Sequence, residues 1–159
     1  MAKSNNTLCL DKFYPERDLM ITDIAQQSDK IIIRMKSTSS SCKCPKCNHI
    51  TQKYHGTYTR KVQDLPILGK QVQLEICSHE YACLNDECEA VSIAETFDGF
   101  LNNYSRMTER CADFICTLAL ETSCEGCARV CRTLGIKTSG DTVIRLLLKR
   151  YESLPKPEV

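Results

Sequence analysis

The chain has 159 residues, 42% of them apolar and 26% charged, with a formal net charge of +1, which fits one ordinary soluble domain or two small ones and singles out no partner class. Aromatic residues make up 6% and tryptophan is absent, so a large core is not expected, and a mini-domain short of core often leans on a metal or on disulfides. No apolar run approaches the roughly 20 residues that cross a bilayer, and the opening "MAKSNNTLCLDKFYPERD" has no signal-peptide core, so a cytoplasmic protein with no membrane partner is expected.

Residues 1–18 are polar with scattered apolar side chains and read as a loosely ordered N-terminus. "LMITDIA" (19–25) and "KIIIRMK" (30–36) are isoleucine-rich and separated by a polar turn, which predicts a hairpin. "STSSS" (37–41) reads as a flexible joint. Tyr54, Tyr58 and Val62, then Val72, Leu74 and Ile76, fall on alternating positions and predict two half-buried strands, with Pro66 and Gly69 of "DLPILGK" as the turn residues between them. After residue 104 the period changes. Met107, Cys111, Phe114, Ile115 and Leu118 have helical spacing over 107–120. A second helix is predicted over 123–135, with Ser123 as N-cap and Gly135 as its stop. A third follows over 139–154, capped at Ser139 or Asp141 and ended by "PKP" (155–157), which leaves 153–159 as a tail. The expected fold is therefore α+β: a small β-rich module at 19–98, zinc-ribbon-like because it carries the cysteine pairs Cys44/Cys47 and Cys83/Cys88, followed by a three-helix module at 104–152.

Twelve cysteines in this length are the outlier of the composition, and in a reducing compartment clustered pairs read as metal ligands before disulfides. Cys44-Pro-Lys-Cys47 is C-x2-C, and Cys83-Leu-Asn-Asp-Glu-Cys88 is C-x4-C. A two-residue gap lets both thiolates of a knuckle face one ion, and two knuckles at the ends of paired strands complete a set of four. Zinc suits such a set, and with every position filled it serves structure and not catalysis. Cys42, only two positions before Cys44, is read as a non-ligand or at most a rival, and His49 and His55 are lesser competitors. Cys124, Cys127 and Cys131 share a helix face and could hold a second metal, but small core residues are the plainer reading; Cys111 and Cys116 fall under the same argument.

The charge is unevenly placed. Residues 126–150 hold six basic side chains against the single acid Asp141, whereas Asp86, Glu87, Glu89, Glu95 and Asp98 make 85–98 wholly acidic. This asymmetry suggests that one face meets a polyanion. The second and third helices with the short turn between them have the lengths of a helix-turn-helix, with Ala128 permitting a close crossing. In that reading Ser139, Asp141, Thr142 and Arg145 are presented to the major groove, Arg129, Arg132, Lys137, Lys149 and Arg150 line phosphates, and Val143, Ile144, Leu147 and Leu148 face inward. A plain three-helix bundle with solvated charges is the alternative.

Together, "CPKCN", "YHGTYTRKVQDLPILGKQVQLEI", "YACLNDEC" and "YSRMTERCADFICTLALETSCEGCARVCRTLGIKTSGDTVIRLLLKR" resemble the N-terminal zinc-binding and helix-turn-helix region of the ISL-three family of bacterial insertion-sequence transposases, from about Leu19 onward. The resemblance implies one zinc on Cys44, Cys47, Cys83 and Cys88, and double-stranded DNA as partner, in particular transposon terminal inverted repeats, with a homodimer as a further expectation. Family members are longer and carry a DDE catalytic domain in which acidic residues hold divalent metal. No such domain is found in this sequence, so no enzyme is expected. The extra cysteines depart from the family pattern, as does His79, where a basic arginine is common. A stand-alone regulator that binds a protein partner is the second functional expectation.

Overall fold

The computed structural model describes residues 18–155; the loosely ordered N-terminus expected before that, Cys9 within it, and the last four tail residues lie outside the described residues. Within them the elements run β1 (Leu19–Gln26), β2 (Lys30–Ser37), β3 (Cys42–Lys43), β4 (Ile50–Thr51), β5 (Tyr54–Ile67), β6 (Lys70–Tyr81), β7 (Ile93–Ala94), α1 (Glu109–Ala119), α2 (Cys124–Leu134) and α3 (Gly140–Glu152). The class is α+β, as expected.

Both hairpins form: β1 pairs antiparallel with β2, and β5 with β6. They join through a parallel pairing of β2 with β6, giving the order β1-β2-β6-β5, with β7 added to the end of β6. Ile31, Ile33 and Met35 lie in register with Val72, Leu74 and Ile76, and Val62 lies opposite Leu74. These side chains form one face of the sheet, and Phe97, Phe100 and Leu101 cover it. By the two-residue period, Lys61, Gln63, Gln71 and Gln73 lie on the other face.

The β5–β6 turn differs from the expectation. Leu68 and Gly69 make it, at φ 50° and 76°, the pair of positive values that a two-residue I′ turn requires. Pro66 instead lies inside β5, where the register shifts between Asp64 and Ile67. β5 is an edge strand, which tolerates a residue without an N–H. The serine segment is also more tied than expected. Ser37 Oγ donates to Glu95 at 2.7 Å, and Tyr81 donates its hydroxyl to the Ser39 carbonyl at 3.1 Å. Glu95, one of the acids of 85–98, is thus buried, and the His79 amide donates to it as well.

The helices begin where their hydroxyl caps sit. Thr108 accepts from the Cys111 amide, Ser123 from Gly126 and Ser139 from Thr142, so Ser139, not Asp141, caps α3. Gly135 ends α2 at φ 99°. Cys111, Ile115, Cys127, Cys131, Ile136 and Val143 form the helical core. One expectation fails here: Ile144 and Leu148 are 45% and 56% exposed. With Val143 buried, the neighbours on its side of the helix are Leu146 and Leu147, and these pack on the core instead.

Helices and sheet are bolted together at the end of the second hairpin. The Gln63 amide donates to the Arg106 carbonyl, and the Thr108 amide donates to the Gln63 carbonyl. The buried Asp64 carboxylate accepts from Thr108 Oγ1 at 2.7 Å, from Arg110 Nε at 2.8 Å and from the Leu65 amide at 2.8 Å. Leu65 packs into the helical core. Gly135 passes so close to the turn that a Cβ there would lie 3.0 Å from the Gly69 carbonyl oxygen and 3.2 Å from the Gln71 nitrogen. Gly135→Ala is therefore expected to destabilise by at least about 1 kcal/mol through the left-handed backbone alone, with thermal unfolding as the check.

Candidate metal centre and basic surface

The first knuckle is built by a tight turn between β3 and β4. The Asn48 amide donates to the Cys44 carbonyl and the Cys44 amide to the His49 carbonyl, each at 2.9 Å. Asn48 adopts a left-handed φ of 61°, which asparagine tolerates better than most residues. The second knuckle follows β6. There the Cys88 amide donates to the Asn85 carbonyl at 2.9 Å, and the Asn85 side chain accepts from the Glu87 amide at 3.1 Å.

These turns bring the Cys44, Cys47, Cys83 and Cys88 sulfurs within 4.8 Å of one another. Cys44 and Cys88 are 3.7 Å apart, and Cys47 and Cys83 3.6 Å. Four sulfurs each about 2.3 Å from a tetrahedral zinc lie about 3.8 Å apart, whereas a disulfide needs about 2.05 Å. The spacing is that of a metal cage. The backbone at His49, the Asn85 side chain and the neighbouring thiols pull Cys47 down to about 6. At Cys83 the Asn85 backbone lowers the value, but desolvation and the other three thiols outweigh it and push it up to about 12. Four sulfur donors at these spacings fit one structural zinc ion. The set is closed, so the metal's role is to hold the fold.

Around it is a minimal core of Cys44, Tyr81 and Ile93, with Cys42 packed beside them. Cys42 stands outside the four-sulfur group, its thiol turned toward the Ala94 and Lys43 carbonyls. His49 and His55 are exposed and also outside it. His79 is half-buried between Tyr54 and Tyr81 with Glu95 beside it.

Cys127 and Cys131 are fully buried, 4.0 Å apart, while Cys124 is half-buried. Burial pushes Cys111 up to about 12 and Cys131 to about 11, which makes them inert core thiols at neutral pH. Elemental analysis is expected to give one zinc per chain, unchanged in Cys127→Ser. Two metals, with one lost in that variant, would overturn the core assignment.

The basic side chains are divided. Lys137, Thr142, Arg145 and Lys149 line a half-open cleft of about 1000 Å³ between α3 and the polar face of the sheet. Arg145 lies back along its own helix, with Nε 3.4 Å from the Asp141 carbonyl and a guanidinium nitrogen 3.3 Å from Thr142 Oγ1. Arg129 and Arg132 are exposed on α2. Ser139 is occupied as the cap of α3, and Arg150 is paired with Asp113 of α1. Lys61, Gln63, Gln71, Gln73 and Arg106 also line the cleft. They escaped the sequence reading because only the tertiary fold places the strands beside α3.

Residues 40–88 match the family described as the zinc-finger of transposase IS204/IS1001/IS1096/IS1165, a stretch that contains all four clustered cysteines. No curated protein and no solved structure gave a match. No helix among the described residues is long and apolar enough to cross a membrane.

Proposed function

We propose that this protein binds double-stranded DNA in a sequence-specific manner, as the transposon-end recognition part of an insertion-sequence transposase, with terminal inverted repeats as its target. In this reading the β-rich unit over 19–98 is the zinc module and 104–152 is the DNA-binding module, with α2 and α3 acting as a helix-turn-helix and this chain contributing binding without catalysis. The observation that carries it is the attachment of a transposase-type zinc ribbon to a capped helix pair whose stretch 126–150 holds six basic residues against one acid. Helix α3 enters the major groove. Arg145 reads a base, Thr142 meets phosphate or a base edge, and Arg129, Arg132, Lys137 and Lys149 meet phosphates. Ser139, which already caps α3, and Arg150, which already pairs with Asp113, complete the set.

An arginine that makes two hydrogen bonds to guanine is worth about 1–3 kcal/mol of discrimination. Arg145→Ala is therefore expected to weaken the preferred duplex more than random DNA, whereas Arg132→Ala weakens both alike and lowers the salt slope by about one. Competition titrations with the two duplexes decide it, and proportional loss on both moves Arg145 into the phosphate class.

A second reading, binding to a protein partner or to a second copy of this chain, is favoured by one specific feature. Ile144, Leu148 and Tyr151 are exposed and recur at the spacing of one helix face. Absence of salt-dependent duplex binding, together with self-association or partner capture lost in Leu148→Glu, favours that reading over the first.

A further inference from the structure

We infer that the cleft between α3 and the sheet is a seat for one phosphodiester strand, so that the sheet, through Lys61, and the segment before α1, through Arg106, are part of the DNA-binding surface. The inference rests on the DNA-binding reading above and extends it to residues outside the helices. A helix lying in a major groove is flanked by the two backbones that border the groove. A protein wall standing beside such a helix faces one of those backbones. Here the wall is the polar face of β5 and β6, with the segment before α1.

The charges suit a phosphate ridge. Lys61, Arg106, Lys137, Arg145 and Lys149 all line the cleft, and no acidic side chain does. None of the five is in an ion pair among the described residues. Glu75, the cross-strand neighbour of Lys61, is engaged by Arg34 and Gln73 instead. Five cations held around a concave surface without carboxylates repel one another, and a polyanion relieves that repulsion. The walls are also fixed relative to each other. Gln63 Nε2 donates to the Lys137 carbonyl at 3.0 Å, and the Lys137 amide donates to Gln63 Oε1 at 2.8 Å. Gln63 is thus a positioning residue that ties the sheet wall to the turn before α3.

The test uses the full chain with its zinc, titrated with a duplex carrying the terminal repeat and with a random duplex at several salt concentrations. Lys61→Ala/Arg106→Ala is expected to weaken both duplexes equally, roughly 10- to 100-fold near 0.1 M salt, and to lower the salt slope by about two. Lys61→Arg/Arg106→Lys is expected to keep the slope. Lys43→Ala/Lys53→Ala removes the same charge outside the cleft and is expected to leave the slope nearly unchanged. Zinc content and circular dichroism confirm that each variant is folded. If the Lys61/Arg106 variant matches the Lys43/Lys53 control while Arg132→Ala, outside the cleft, still loses affinity, the cleft inference falls and the DNA-binding reading stands. If the unaltered chain binds neither duplex in a salt-dependent way, both fall.

Discussion

Replacing Cys83 with serine is expected to release the zinc and to loosen residues 42–53 and 82–94, while Cys42→Ser keeps the metal and the local fold. The magnitudes decide how large the first effect should be. Among the described residues the local core offers Tyr81 and Ile93 as its buried apolar side chains besides cysteine, worth about 1.5–3 kcal/mol each. β3 and β4 contribute two residues apiece. Structural zinc in small domains contributes about 10–16 kcal/mol of apparent binding energy, so the metal dominates the stability of this region. The loss should also be local. The sheet core and the helical core are separate groups of side chains, so most far-UV circular dichroism should survive while hydrogen exchange rises near the knuckles. His49→Ala and His55→Ala are expected to retain zinc. Equal metal loss in Cys42→Ser and Cys83→Ser would overturn the ligand assignment.

What could be read in advance was local. The two knuckles are spacing motifs, and the turns that build them involve residues next to the cysteines. Ser123, Gly135 and Ser139 mark helix ends because capping is a contact over three or four residues. The parallel pairing of β2 with β6 left no such mark: Ile31, Ile33 and Met35 must find Val72, Leu74 and Ile76 some forty positions away, and alternation predicts only that each strand has an apolar face. Pro66 misled for a related reason, since whether a proline ends a strand depends on whether that strand lies at a sheet edge. The inward set on α3 was misjudged because a short run of Val143, Ile144, Leu146, Leu147 and Leu148 is apolar almost all round. Which of these face the core is set by the packing of α1 and α2. Nothing local marks Lys61 and Arg106; only the fold places them in one cleft with Arg145 and Lys149.

Arg110→Ala is expected to cost about 3 kcal/mol, because it strands a buried carboxylate. Asp64 is 1% exposed and would keep only Thr108 and the Leu65 amide as donors. Arg110 also lies over the Phe100 ring at 5.7 Å, so its loss loosens the contact between the sheet core and α1. Asp64→Asn should cost less, about 1–2 kcal/mol, since the Arg110 side chain is 37% exposed and can turn to water. Asp64→Asn/Arg110→Met should recover part of the loss seen in Arg110→Ala, as replacing both partners removes the stranded charge. Urea unfolding at neutral pH measures all three, and a cost below about 1 kcal/mol for Arg110→Ala, the range of exposed pairs, would show that the pair is not a structural bolt. The acid dependence supplies a second check. Burial alone would raise the Asp64 carboxyl, but Arg110, Thr108 and the Leu65 amide outweigh it and hold it below the ordinary range. A lowered carboxyl contributes its full stability above the unfolded value of about 3.9 and loses it as pH falls through the lower folded value. Thiolate ligands take up protons and release metal in acid, so the informative quantity is the difference between the two proteins. The advantage of the unaltered chain over Asp64→Asn should hold from neutrality down to about pH 4 and shrink below it. An advantage that stays constant further into acid would mean that the carboxylate charge is not what joins the sheet to α1.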